Sequence, residues 1–119
     1  MGKLLIHSSH GKEDPERAIL PFIVGKNAVI AGQEAVVLLT IEGVWLATEG
    51  GAEGVQKEGL PPLSEVLQEF IANGGQVWAC QSCTQPRGIG EDRLIKGARI
   101  AAAMQAVELL SQGAASLTF

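Results

Sequence analysis

The run Glu34-Ala35-Val36-Val37-Leu38-Leu39-Thr40 constrains this chain more than any other stretch. Its apolar core shows no polar alternation, so it cannot sit in a sheet with one wet face. That pattern predicts a strand covered on both sides, as in parallel sheets. Lys3-Leu4-Leu5-Ile6-His7-Ser8 predicts a first strand of the same kind. Two parallel strands need a crossover between them. Asp14 as N-cap, Pro15 at the first helical position and Glu16 in the first turn predict a helix running to about Ala31 and stopping at Gly32. Ala18, Phe22, Ala28 and Val29 lie near one face, and Ile19, Ile23 and Ile30 widen the stripe. Pro21 removes a backbone hydrogen bond inside this helix and predicts a kink, or a break after the first turn.

The alternation continues. Glu42-Gly43 closes the second strand, and Val44-Trp45-Leu46-Ala47 predicts a short helical turn. Residues 49–59 carry four glycines among charges and read as a mobile loop. A helix beginning at Pro62 or Ser64 carries Val66, Leu67, Phe70 and Ile71 as far as Gly74-Gly75. Val77-Trp78-Ala79 is a third strand, residues 86–90 are irregular, and Ala98 to Ala101 is a fourth strand. A helix from about Ala103 to Gln112 bears Met104, Val107 and Leu110; Gly113 caps it, and Ala115 to Phe119 forms the last strand. Strands alternating with helices imply an α/β sandwich on a parallel sheet. The 119 residues suit one domain spanning 1–119.

Composition excludes several classes of function. A hydrophobic content of 46% with 18% charge excludes a disordered chain. A net charge of −4 argues against a nucleic-acid binder. No apolar run approaches the roughly 20 residues that span a bilayer, so no membrane association is expected. Too few residues precede His7 for a signal peptide, and a cytoplasmic chain is the expectation. Aromatic residues are scarce, which leaves a core of small aliphatic side chains and makes extra burial by partner subunits useful.

Both cysteines, Cys80 and Cys83, lie where the third strand ends and a turn begins. In a cytoplasmic chain they read as free thiols or a redox pair. If the turn opens a helix, its N-terminus favours the thiolate, and Arg87, four residues beyond Cys83, adds to that effect. In open α/β sheets ligands bind outside the carboxyl ends of the strands. Those ends carry Ser8, Ser9, His10 and Gly11, then Thr40, Glu42 and Gly43, then the cysteines. A thiol, an imidazole and a carboxylate converging there would suit nucleophilic chemistry. Each has a plainer reading as well. Buried cysteines often act as small hydrophobes, His10 and Glu42 fit solvated turns, Arg87 fits a surface charge, and His7 fits a satisfied core histidine. One C-x-x-C supplies two ligands where zinc needs four, so no metal is expected. No P-loop and no G-x-S-x-G elbow is present. C-x-x-C spacing also fits a thioredoxin-type dithiol, although such domains place the motif after an early strand.

Cys80-Gln81-Ser82-Cys83-Thr84, Arg87-Gly88-Ile89, the stretch Leu94-Ile95-Lys96-Gly97-Ala98-Arg99-Ile100 and Leu117-Thr118-Phe119 resemble the DsrE/DsrF-like family, especially its YchN-like members. The opening strand, Pro15-Glu16-Arg17-Ala18 and Thr40-Ile41-Glu42-Gly43 extend the resemblance over essentially the whole chain. The resemblance implies a three-layer α/β/α sandwich with a mainly parallel sheet of about five strands. It also implies assembly into homotrimers or homohexamers. DsrE and TusD-type members carry sulfane sulfur as a persulfide on a cysteine after the third strand, a position that corresponds to Cys80. They generally lack an equivalent of Cys83. The expectation is therefore a sulfur-relay protein or sulfurtransferase without cofactor, working with sulfur donor and acceptor proteins. A C-x-x-C thiol-disulfide oxidoreductase and a non-catalytic oligomeric interaction module are the alternatives.

Overall fold

The computed structural model describes residues 2–119. Its elements run β1 (Lys3–Ser8), α1 (Pro15–Ile30), β2 (Glu34–Leu39), a 3₁₀ segment (Ile41–Ala47), α2 (Leu63–Ala72), β3 (Gln76–Cys80), α3 (Gln81–Thr84), β4 (Ala98–Ala101), α4 (Ala103–Ser111) and β5 (Ala115–Thr118). The five strands are all parallel in the order β4-β3-β2-β1-β5. Helices cover both faces, giving the expected three-layer α/β/α sandwich.

This order explains the layers. From β1 to β4 the chain steps in one direction, and right-handed crossovers then keep α1 and α2 on one face. β5 returns past β1 to the opposite edge, and the same handedness carries α4 across the other face. Strand alternation feeds the two cores accordingly. Ile6, Val37, Leu39, Val77 and Ala79 join the large core beneath α1, α2 and the 3₁₀ segment. Leu5, Val36, Trp78 and Ala101 form a small second core under α4. Trp78 is roofed by the Arg99 guanidinium, 4.7 Å from its ring centre, in a cation–π contact.

Four local expectations are corrected. α1 runs unbroken through Pro21, which is buried; the carbonyl that loses its partner belongs to exposed Arg17, where water can replace it. Ile30 is exposed rather than part of the core stripe. Helix α2 starts at Leu63, with Pro62 at the N-cap position. Residues 49–59 form a series of turns tied to the core, because Ala52 and Val55 are buried and Leu63 donates its N–H to the Val55 carbonyl. Its glycines serve those turns.

Helices α1 and α2 meet through Phe22 and Phe70, edge to face, with ring centres 5.8 Å apart and an interplanar angle of 73°. Both are fully buried, and they supply most of the aromatic surface of the large core. Phe70→Ala is expected to lower unfolding stability by about 3–5 kcal/mol, measured by urea denaturation. A loss under 1 kcal/mol would mean that the helices do not pack through this pair.

Candidate functional site

The carboxyl ends of β1, β2 and β3 lie side by side, and each is followed by a tight structure. After β3 the chain turns directly into α3, with Cys80 at its N-cap position and Cys83 within its single turn. Both thiols are free and half-buried. The Ser82 and Cys83 N–H groups point towards the Cys80 sulfur and pull its ionisation downwards, although no cap hydrogen bond is formed. Burial pushes the Cys80 thiol up and prevails, and the hydrogen bond with Cys83 and that residue's charge add to the rise. The expected thiolate-favouring helix terminus is thus overridden: one turn of helix is too weak a dipole to offset desolvation.

Arg87 does not serve the thiols directly. It donates from Nη1 to the Cys83 carbonyl at 3.1 Å, and its Nη2 lies 3.7 Å from Glu42 Oε1. It therefore staples the C-terminal side of α3 to the segment after β2. Ile89 is buried, and its N–H bonds the Thr84 carbonyl, which anchors the stretch that follows. Of the sequence-predicted residues, Cys80, Cys83, Arg87 and Glu42 are brought into one neighbourhood.

His10 has a different immediate partner. Its Nδ1 lies 2.8 Å from Glu13 Oε2, while Glu13 Oε1 accepts the Gly11 N–H. Among the described residues no hydrogen bond joins this imidazole to either thiol. Partial burial pushes the Glu13 carboxyl up, but His10, the Gly11 N–H and its own N–H together hold it below the ordinary carboxylate range. Glu13 escaped the sequence reading because it sits beside the stronger helix-cap signal Asp14-Pro15. Its own signal is an acid three residues after a loop histidine. His7, by contrast, follows its plain reading. It is half-buried in β1 with Nε2 2.7 Å from Thr40 Oγ1, and burial lowers its pKa.

Two glycines let the loops after β1 and β2 interlock. A Cβ on Gly11 would come within 2.6 Å of the Glu42 carbonyl oxygen. One on Gly43 would come within 2.8 Å of the Ser8 carbonyl oxygen and 3.4 Å of the His10 backbone. The chain also adopts an unusual conformation here. Ile41 has φ 54°, a left-handed value that β-branched residues rarely accept. This kink turns the chain out of β2 and sets the direction of Glu42. Beside it lies a cavity of about 440 Å³ whose lining includes Lys12, Glu13, Glu42, Trp45, Glu49 and Glu53. Neither cysteine lines it. Glu42 is the link, since it faces the cavity and also pairs with Arg87. No group of three or more His, Cys, Asp or Glu with metal-binding geometry exists among the described residues. No helix among them is long and apolar enough to cross a membrane.

Comparison with known proteins gives a consistent answer. The model of the DsrE/DsrF-like family matches residues 2–119. An uncharacterized protein of Methanopyrus kandleri is 31% identical over 72% of this chain and 68% of its own length. Two uncharacterized proteins of Methanocaldococcus jannaschii are 26% and 28% identical, over 92% and 98% of this chain. The chain spans 40% of the first and 96% of the second. The ychN protein of E. coli shares the fold with a TM-score of 0.80 at 22% identity, each chain covered in full. A protein of unknown function from Methanobacterium thermoautotrophicum does so at 0.77 and 18%, again with each chain covered in full.

Two outcomes are expected from this geometry. Ile41→Gly relieves the left-handed strain at an exposed position and should raise stability by about 0.5–1 kcal/mol in urea denaturation, whereas the equally strained Ile41→Val should not. In a Cys83→Ser background, the rate of Cys80 alkylation should rise with pH through a midpoint above that of an unperturbed thiol. A midpoint below it, read by mass spectrometry of iodoacetamide adducts, would show the helix terminus prevailing over burial.

Proposed function

The chain belongs to the DsrE/DsrF-like family, which is associated with sulfur relay, and from this we propose that it carries sulfane sulfur as a persulfide on Cys80. The observation that carries the reading is the half-buried Cys80 at the end of β3, with the N–H groups of Ser82 and Cys83 directed at its sulfur. In the loading step the Cys80 sulfur attacks the outer sulfur of a donor persulfide. A new S–S bond forms, the donor's S–S bond breaks, and the donor leaves as a thiol carrying the proton that Cys80 gives up. Burial holds Cys80 as a neutral thiol between turnovers and limits the access of bulk thiols to the loaded sulfur. The N–H groups stabilise the charge that develops during attack.

The closeness of Cys83 supports a second chemistry at the same place. The Cys83 thiol can attack the Cys80 sulfur of the persulfide, forming a Cys80–Cys83 disulfide and releasing the outer sulfur as hydrogen sulfide. Without bound sulfur the pair would act as a thiol-disulfide oxidoreductase. The glutathione-poised cytoplasm would keep both thiols reduced at rest.

We also propose that the chain works as a homotrimer or homohexamer that meets sulfur donor and acceptor proteins. The α4–β5 face supports this: Met104, Val107, Leu110 and Leu117 are exposed there, α4 has no buried residue, and every residue of β5 is exposed. An apolar helix beside an open strand edge is the kind of surface that a second copy covers.

Incubation with a polysulfide donor followed by intact-mass and peptide mass spectrometry tests the proposal. One added sulfur on Cys80 is expected in the wild type and in Cys83→Ser, and none in Cys80→Ser. Undiminished loading of Cys80→Ser, or no loading of Cys83→Ser, removes the carrier reading.

A further inference from the structure

The cavity beside Ile41 is lined by neither thiol, so sulfur loading on Cys80 gives it no role. Its volume of about 440 Å³ falls within the roughly 300–1,000 Å³ usual for small-molecule sites. The walls come from two directions. Lys12 and Glu13 belong to the loop after β1, whereas Glu42, Trp45, Glu49 and Glu53 lie in the 3₁₀ segment after β2 and the turns that follow it. Four glutamates against one lysine give the lining a formal charge of −3, in a chain whose total is −4. Glu49 and Glu53 have no ion-pair partner among the described residues. With Glu42 shared by Arg87, two negative charges are left unbalanced at the cavity.

A lining of this sign selects a cation, and its layout selects an organic one. Ca²⁺ draws about six to eight oxygens onto one point and Mg²⁺ demands near-octahedral geometry. Among the described residues no three carboxylates converge in that way. Carboxylates spread around a cavity suit a cation whose charges are spread as well. Trp45 supplies the apolar wall between them, and its ring already carries the Arg93 guanidinium 5.5 Å from its centre. A cation on this indole is thus a contact that the protein makes with its own chain. The walls are also set in advance. Thr48 Oγ1 donates to the Trp45 carbonyl at 2.6 Å, the Glu49 N–H to the Arg93 carbonyl and the Glu53 N–H to the Gly50 carbonyl. Gly51 packs so closely on the Trp45 carbonyl that no Cβ would fit there. Little ordering cost is left for a ligand to meet.

We propose that this cavity binds a linear organic dication, an α,ω-alkyldiamine with both amines protonated. One ammonium meets Glu13 and Glu42, the other meets Glu49 and Glu53, and the methylene chain lies against Trp45. Each ammonium has three donors and no acceptor, which matches carboxylates that only accept. Its two charges balance the two that the lining leaves over. The glutamates are exposed, so the attraction is screened by salt, and the indole contributes the part that salt does not remove. Such binding is independent of sulfur on Cys80.

Isothermal titration calorimetry of the full chain with 1,4-diaminobutane, at neutral pH and low ionic strength, tests the proposal. Saturable binding is expected, with n-butylamine about 10-fold weaker and butane-1,4-diol showing none. Glu49→Gln combined with Glu53→Gln should weaken the diamine by about 10-fold. Trp45→Leu should weaken it by about fivefold, and Trp45→Phe should keep most of the affinity. Because Trp45 is half-buried and its replacement can unsettle the fold, the exposed glutamate pair decides the matter. Backbone amide shifts during the titration, followed by ¹H–¹⁵N NMR, should centre on residues 42–53. Mg²⁺ at equal ionic strength should displace the diamine no better than Na⁺. Unsaturable binding, equal affinity for n-butylamine, preferential displacement by Mg²⁺, an unchanged affinity in the double glutamine variant, or shifts centred elsewhere would each overturn the site.

Discussion

The handedness of strand crossovers governs this molecule. Four parallel strands laid down in one direction commit α1 and α2 to one face, and the return of the chain to pair β5 with β1 commits α4 to the other. Because every strand points the same way, every strand also ends at the same edge. The loops bearing His10, Glu42 and the cysteines therefore share one rim, although 70 positions separate the first from Cys80. A single reversed strand would have moved one of those loops to the opposite rim.

The same topology divides the burial unequally. The face under α1, α2 and the 3₁₀ segment holds the two buried phenylalanines and most of the core. The α4 face has a small core in which Trp78 and Arg99 do much of the covering, and the outer side of α4 remains apolar and exposed. Stability thus rests on one face, and the other is left available for contact. The two edge strands differ in the same sense. In β4 the Ile100 N–H is capped by the Glu91 carboxylate, which blunts that edge, while β5 presents four exposed residues.

At the rim, burial and backbone dipoles oppose each other at Cys80. Desolvation prevails, because α3 is only one turn long and its N–H groups approach the sulfur without completing a hydrogen bond. Cys80 therefore rests as a neutral thiol. Strain contributes as well: left-handed Ile41 turns Glu42 towards Arg87, and Arg87 in turn holds the Cys83 carbonyl.

Periodicity and capping chemistry are local, and for that reason the strands, the α1 start at Asp14-Pro15 and the cysteine turn were legible in the sequence. The continuous apolar run of β2 alone implied a doubly covered parallel sheet, and the motifs around Cys80 and Arg87 carried the family. Nothing local could reveal that Ala52 and Val55 plug the core from a glycine-rich stretch, or that Ile30 faces outwards. Those outcomes depend on which segments meet across the sheet, and only crossover direction and strand register decide that. The sequence by itself determined the elements, the layer architecture and the thiols at the end of the third strand. Tertiary structure alone decided the ionisation of Cys80 and the pairing of Arg87 with Glu42, because desolvation and long-range pairing are properties of neighbours brought together by the fold.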